Sequence, residues 1–119
     1  MICGIGCDIV EVERFGALCE DGRFMDKCFT AAEREYIRAA ANPAQSAAAC
    51  FAAKEAVVKA LGSGFSGVEL HDAELLHREN GSPYVQLSGG AARLSGGAAV
   101  HISLSHTRTA AAAFCVLEK

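Results

Sequence analysis

The sequence has no tryptophan, only 2 prolines, and aromatic residues amount to 7%. Basic excess is missing too, with 11 Lys and Arg against 14 Asp and Glu and a formal charge of −3. That balance excludes a nucleic-acid binder that works through bulk positive charge, and leaves only a local basic patch for an acidic partner. Charged residues are few, 21% against 51% hydrophobic, which excludes a disordered chain. The longest apolar run, Ala110 to Leu117, is too short to span a bilayer. The opening Met1-Ile2-Cys3-Gly4 has no basic stretch, so no signal peptide and a cytoplasmic location are expected. The 6 cysteines, Cys3, Cys7, Cys19, Cys28, Cys50 and Cys115, form no CxxC pair, and no His sits at zinc-finger spacing. Free, mostly buried thiols are the expectation.

What is there is one domain's worth of chain, 119 residues. A domain of this size buries roughly two-thirds of its unfolded surface. Little chain is left over for a deep cleft of its own.

Ile2 to Val10 reads as a strand. Cys3, Ile5, Cys7 and Ile9 share one face, which is apolar; Gly4, Gly6 and Asp8 share the other, which is nearly bare. A short helix is expected over Val12 to Glu20, with Phe15, Leu18 and Cys19 inward. Thr30-Ala31-Ala32-Glu33 is a capping box opening a second helix anchored by Tyr36 and Ile37. Asn42-Pro43 starts a third, which runs to about Leu61 and stops at Gly62. A flexible glycine-rich loop spans 62–67, and strands follow around Val68 to Glu79 and Tyr84 to Leu87, joined through Asn80-Gly81. A short helix over Gly89 to Leu94 precedes a last strand pair, Val100 to Ser105 and Ala110 to Leu117.

The third helix is the most informative element. On a helical wheel Cys50, Phe51, Val57, Val58 and Leu61 make one apolar stripe, with Lys54 near its middle. A lysine there costs free energy unless it snorkels or meets an anion. Glu55 and Lys59, four apart, could be no more than a surface pair worth roughly 0.3–0.5 kcal/mol. Their company points elsewhere. Asp8 ends a glycine-faced strand, a glycine loop follows the helix, and His106 ends a strand through Ile102 and Leu104. Carboxylates suit a hard Mg²⁺, and lysines with exposed N–H groups suit phosphate oxygens.

Four stretches in this order resemble the holo-acyl-carrier-protein synthases, the small 4′-phosphopantetheinyl transferases. They are Gly4-Ile5-Gly6-Cys7-Asp8-Ile9-Val10-Glu11 with Arg14-Phe15, Phe51-Ala52-Ala53-Lys54-Glu55-Ala56 with Lys59-Ala60-Leu61-Gly62, Asn80-Gly81-Ser82-Pro83, and Ser103-Leu104-Ser105-His106-Thr107. The resemblance covers nearly the whole chain. It implies an α+β fold, a mainly antiparallel sheet packed against a long helix, as a single domain over 1–119. It implies Mg²⁺ on Asp8 and Glu55, with Lys59 at the phosphates. It implies His106, Gly62 and Gly64 along coenzyme A, and Arg14 on the helix that receives an acyl carrier protein, with Arg23 beside it. Lys54 stays open between phosphate ligand and snorkelling residue. One departure is Cys7, which stands where a less reactive residue is expected and is read as buried and inert.

The implied reaction attacks the β-phosphate of coenzyme A with a carrier serine and releases 3′,5′-ADP. Two rivals use the same residues: a magnesium-dependent nucleotide phosphohydrolase with water as acceptor, and a non-catalytic oligomeric module whose Lys54, Glu55 and Lys59 merely pair charges. The docking helix is thin in basic residues, Arg14, Arg23 and Lys27, so apolar contacts from Phe15, Leu18, Phe24 and Met25 are expected to help. Larger members of the superfamily resemble two such domains in one chain. A chain of this length therefore implies a homotrimer with sites between subunits.

Overall fold

Glycine at alternate positions of the first strand decides the architecture. In the computed structural model, which describes residues 1–62, 64 and 66–119, β1 (Ile2–Glu11) lies directly on α4 (Pro43–Leu61). A Cβ on Gly4 would stand 2.2 Å from the Ala60 carbonyl oxygen, and one on Gly6 2.0 Å from that of Ala56. Only glycine lets the two backbones come so close.

The remaining elements follow in chain order: α1 (Arg14–Leu18), α2 (Gly22–Cys28) and α3 (Ala31–Ala39) before α4, then a 3₁₀ turn (Leu70–Asp72), β2 (Ala73–His77), β3 (Pro83–Leu87), α5 (Gly89–Ser95), β4 (Ala99–His106) and β5 (Ala110–Glu118). β5 pairs antiparallel with both β1 and β4, giving the order β1-β5-β4, while β2 and β3 form a separate antiparallel hairpin. The fold is therefore α+β, with antiparallel sheets against one long helix.

Local chemistry explains the boundaries. Thr30 and Glu33 close the capping box at α3 in both directions. Asn42 caps α4, Pro43 occupies its first turn, and Gly62 ends it with φ of 80°. Gly81, at φ 89°, turns the hairpin. Asp21 caps α2, a helix the sequence pattern does not foresee, while the helix expected over Val12 to Glu20 is found as α1. The long strand expected from Val68 begins only at Ala73, because Leu70–Asp72 winds into a 3₁₀ turn that Asp72 and Glu69 cap. Of the expected loop over 62–67, Ser63 and Phe65 lie outside the described residues.

The core gathers on α4. Phe15 and Phe29 are fully buried, and the Phe15 ring lies 5.5 Å from that of Phe51 and 6.1 Å from that of Phe24. α4 is enclosed on almost every side, not along one stripe. Ala47, Ala48, Ala52, Ala53, Ala56 and Ala60 are all buried, and their small side chains admit neighbours all round.

The structure assigns the two faces of β1 and corrects the expected burial of two side chains, Cys7 and Tyr36. The apolar face of β1 points outward, with Ile5 and Ile9 exposed at 62% and 71%, because α4 takes the glycine face instead. Cys7 shares that outer face and is exposed, not buried; all six cysteines are free thiols. Tyr36, expected as an anchor, is exposed and stacks on His77 with ring centroids 3.9 Å apart.

Candidate active site

Three charged groups meet where β1 crosses α4. Asp8 stands on β1 opposite Ala113 of β5, and α4 presents Lys59 one turn after Glu55. The Lys59 ammonium donates to Asp8 Oδ1 at 3.0 Å and to the Cys7 carbonyl oxygen at 2.9 Å. So Lys59 pairs with Asp8 across the two elements rather than with Glu55 along its own helix. Both carboxylates are partly enclosed, the Asp8 side chain 16% exposed, while the Lys59 side chain is 55% exposed.

The electrostatics are those of two acids sharing one place. Burial pushes the Glu55 carboxyl above its ordinary range, and the Asp8 charge pushes it further, against Lys59 and Arg14. The hydrogen bond and charge of Asp8 hold the Lys59 ammonium above its usual value. Asp8 and Lys59 line a cavity of about 460 Å³ with Ser103, Ser105, Ala112 and Phe114 from the outer face of the sheet.

The donor set fits magnesium better than a metal needing a full protein cage. Among the described residues no group of three or more His, Cys, Asp or Glu side chains gathers to hold an ion. Mg²⁺ keeps several waters and needs only one or two carboxylates besides substrate phosphates, which Asp8 and Glu55 can supply. That a cation already sits on Asp8, in the form of the Lys59 ammonium, accords with this.

The other predicted residues fall in different places. Lys54 does not snorkel; it is paired inside the core. It is 1% exposed, and its ammonium donates to both oxygens of Glu33, at 2.7 and 2.9 Å, and to the Ala73 carbonyl oxygen at 2.9 Å. The anion that its apolar surroundings demand comes from inside the chain. Glu33 also accepts from the backbone N–H of Thr30 and of Leu75, so one carboxylate joins α3, α4 and β2. Sequence reading uses Glu33 only as a helix cap; an acid that could serve two partners was its one visible signal.

His106 is exposed at the end of β4 and lines a second cavity, about 310 Å³, with Tyr36, Gln45, Ser46 and His77. Within one chain it does not share the Asp8 cavity. Gly62 and Gly64 both have positive φ, 80° and 61°, directly beyond α4. Arg14 is exposed, lies 5.8 Å over the Phe15 ring and acts on Glu55. Arg23 is exposed in the first turn of α2. Of the apolar residues expected to help a dock there, Phe15 and Met25 are buried in the core, while Leu18 and Phe24 are only partly covered.

Known proteins align with this chain along its length. Residues 4–115 match the 4′-phosphopantetheinyl transferase superfamily. A holo-[acyl-carrier-protein] synthase of Treponema denticola is 41% identical over 99% of both chains. One of Desulforudis audaxviator is 46% identical, covering 98% of this chain and 92% of its own. Among solved structures, the synthase of Neisseria meningitidis superposes with a TM-score of 0.89 at 32% identity, over all of both chains. That of Bacillus anthracis, solved in complex with CoA (3′,5′-ADP), has a TM-score of 0.84 at 34% identity, covering 100% of this chain and 98% of the other. The Asp8, Glu55 and Lys59 crossing is thus set in an enzyme fold whose relatives agree from end to end, and the chain belongs to the 4′-phosphopantetheinyl transferase superfamily, among its holo-[acyl-carrier-protein] synthases.

Proposed function

We propose that this enzyme moves the 4′-phosphopantetheine of coenzyme A onto a serine of an apo acyl carrier protein, with Mg²⁺ and with release of 3′,5′-ADP. The observation that carries the reading is the meeting of Asp8, Glu55 and Lys59 at the β1–α4 crossing. Asp8 and Glu55 would hold the metal, which when bound offsets charge on the pyrophosphate. Lys59, long and half exposed, reaches a phosphate placed in the Asp8 cavity and compensates charge gathering on its bridging oxygen. Ser103 and Ser105 also line that cavity and offer hydroxyls to it. The serine oxygen forms the new bond to the β-phosphorus, the bond from that phosphorus to the bridging oxygen breaks so that 3′,5′-ADP leaves with that oxygen and its electron pair, and the serine proton passes to solvent water. His106, Gly62 and Gly64 would contact the rest of coenzyme A, and Arg14 and Arg23 the acidic carrier.

The assembly proposed for this site is a homotrimer. Ile5, Ile9 and Phe114 form an exposed apolar patch on the outer sheet face, contiguous with the Asp8 cavity. Such a patch is a surface to be covered. Covering it with a second copy places that copy at the cavity mouth, where His106 or Arg14 of a neighbour could complete the coenzyme site.

Incubation with coenzyme A and apo carrier protein tests the reaction by mass. A gain on the carrier that depends on magnesium and is nearly abolished by Glu55→Gln is the expected result. Release of 3′,5′-ADP with no carrier present would instead favour hydrolysis, and transfer at the wild-type rate by Glu55→Gln would remove the metal assignment.

A further inference from the structure

The lysine–aspartate pair at the crossing is mechanically lopsided. Asp8 is fixed: its strand is paired residue by residue with β5, and Gly6 beside it is wedged against the Ala56 carbonyl. Its side chain is mostly enclosed, 16% exposed. Lys59 is the reverse, with a flexible four-carbon stem and more than half of its side chain in solvent. The ammonium holds Asp8 Oδ1 and the Cys7 carbonyl oxygen, so it stands against the strand at the end where the carboxylate is anchored. A divalent ion on Asp8 would be a second cation on the same carboxylate, beside an ammonium whose bond to it is solvent-exposed and therefore weak.

We propose that the Lys59 ammonium is the resident cation of Asp8 in the metal-free enzyme, and that a divalent metal enters by displacing it, which frees Lys59 for the phosphates in the cavity. This rests on the reading of Asp8 and Glu55 as the metal pair. On it, Lys59 has two posts. It neutralises Asp8 before the metal arrives, and it becomes available to substrate only once the metal has taken its place. Occupation of the site by metal and recruitment of the lysine are then one event.

Binding of Mn²⁺, followed by the electron paramagnetic resonance of the free ion or by calorimetry without substrate, tests this directly. Lys59→Met removes the competing charge and keeps an unbranched side chain only one atom shorter. It should bind Mn²⁺ more tightly than wild type by roughly fivefold, the fold-change equivalent of an exposed ion pair. Lys59→Arg, which keeps the cation, should stay near wild type. Turnover should move the other way: Lys59→Met lowers kcat while lowering the magnesium concentration needed for half-maximal rate. Equal or weaker Mn²⁺ binding by Lys59→Met, with wild type binding normally and Asp8→Asn failing to bind, overturns the displacement and leaves the metal site standing. Absence of Mn²⁺ binding in wild type and Lys59→Met alike removes the metal site, and the displacement with it.

Discussion

Both lysines of α4, Lys54 and Lys59, take acidic partners that are close in space and far in sequence. Lys54 is the clearest case: wheel geometry locates it in apolar surroundings but cannot supply Glu33, 21 residues earlier, as its partner. Breaking such a pair strands a buried charge. Lys54→Met should cost about 3–5 kcal/mol in urea unfolding, and adding Glu33→Gln should cost less than the sum of the two single changes. Strict additivity would argue that the two groups are not coupled. Glu55 shows the opposite economy, in which function opposes stability. Its carboxyl is raised in the folded state, so the fold holds that proton more tightly than the unfolded chain does. The stabilisation is full below the unfolded value and is lost as pH rises through the folded one. In metal-free buffer Glu55→Gln should therefore melt above wild type at neutral pH, with the gap closing on acidification through the carboxylate range. A gap that widens towards acid would contradict the assignment of burial and Asp8 as the causes.

At the level of elements, most of the architecture was legible because caps and turns are local. Thr30 with Glu33, Asn42-Pro43, Gly62 and Asn80-Gly81 each mark a boundary through a few neighbouring atoms, and each boundary is found where they put it. α2 was not foreseen, since it is only seven residues long and opens on the single cap of Asp21. Alternation along β1 revealed two faces but not which one turns inward. That choice is made by contact with α4, where absence of a side chain outweighs hydrophobicity. Gly6→Ala tests it. The new methyl would meet the Ala56 carbonyl at 2.0 Å, so β1 and α4 must separate. We expect destabilisation of roughly 1–3 kcal/mol. Transfer should fall by up to roughly a hundredfold as Asp8 moves off Glu55. A variant with wild-type stability would show that the crossing can relax.

For the whole molecule, the outer sheet face carries the largest consequence. Ile2, Ile5, Ile9 and Phe114 leave a hydrophobic surface that one copy of the chain cannot cover. Ile9→Lys, at an exposed strand position, should leave the circular dichroism spectrum intact while shifting sedimentation to the monomer and abolishing transfer. A fully active monomer would overturn the proposal that the site is shared between copies. The sequence suggested assembly through length and family likeness. It could not locate a surface for that assembly, because alternation along β1 reveals an apolar face without saying whether a helix, solvent or a second copy meets it.

The Tyr36–His77 stack gives the molecule a built-in optical probe. With no tryptophan, its ultraviolet emission comes from two tyrosines, Tyr36 and Tyr84. Tyr36 lies flat on the imidazole at an interplanar angle of 2°, on the wall of the cavity that His106 also lines. Burial lowers the His77 pKa, so the ring stays neutral to more acidic pH than a free histidine. Emission that changes on acidification, and loses that response in His77→Gln, would report charge and occupancy in this cavity without any added label.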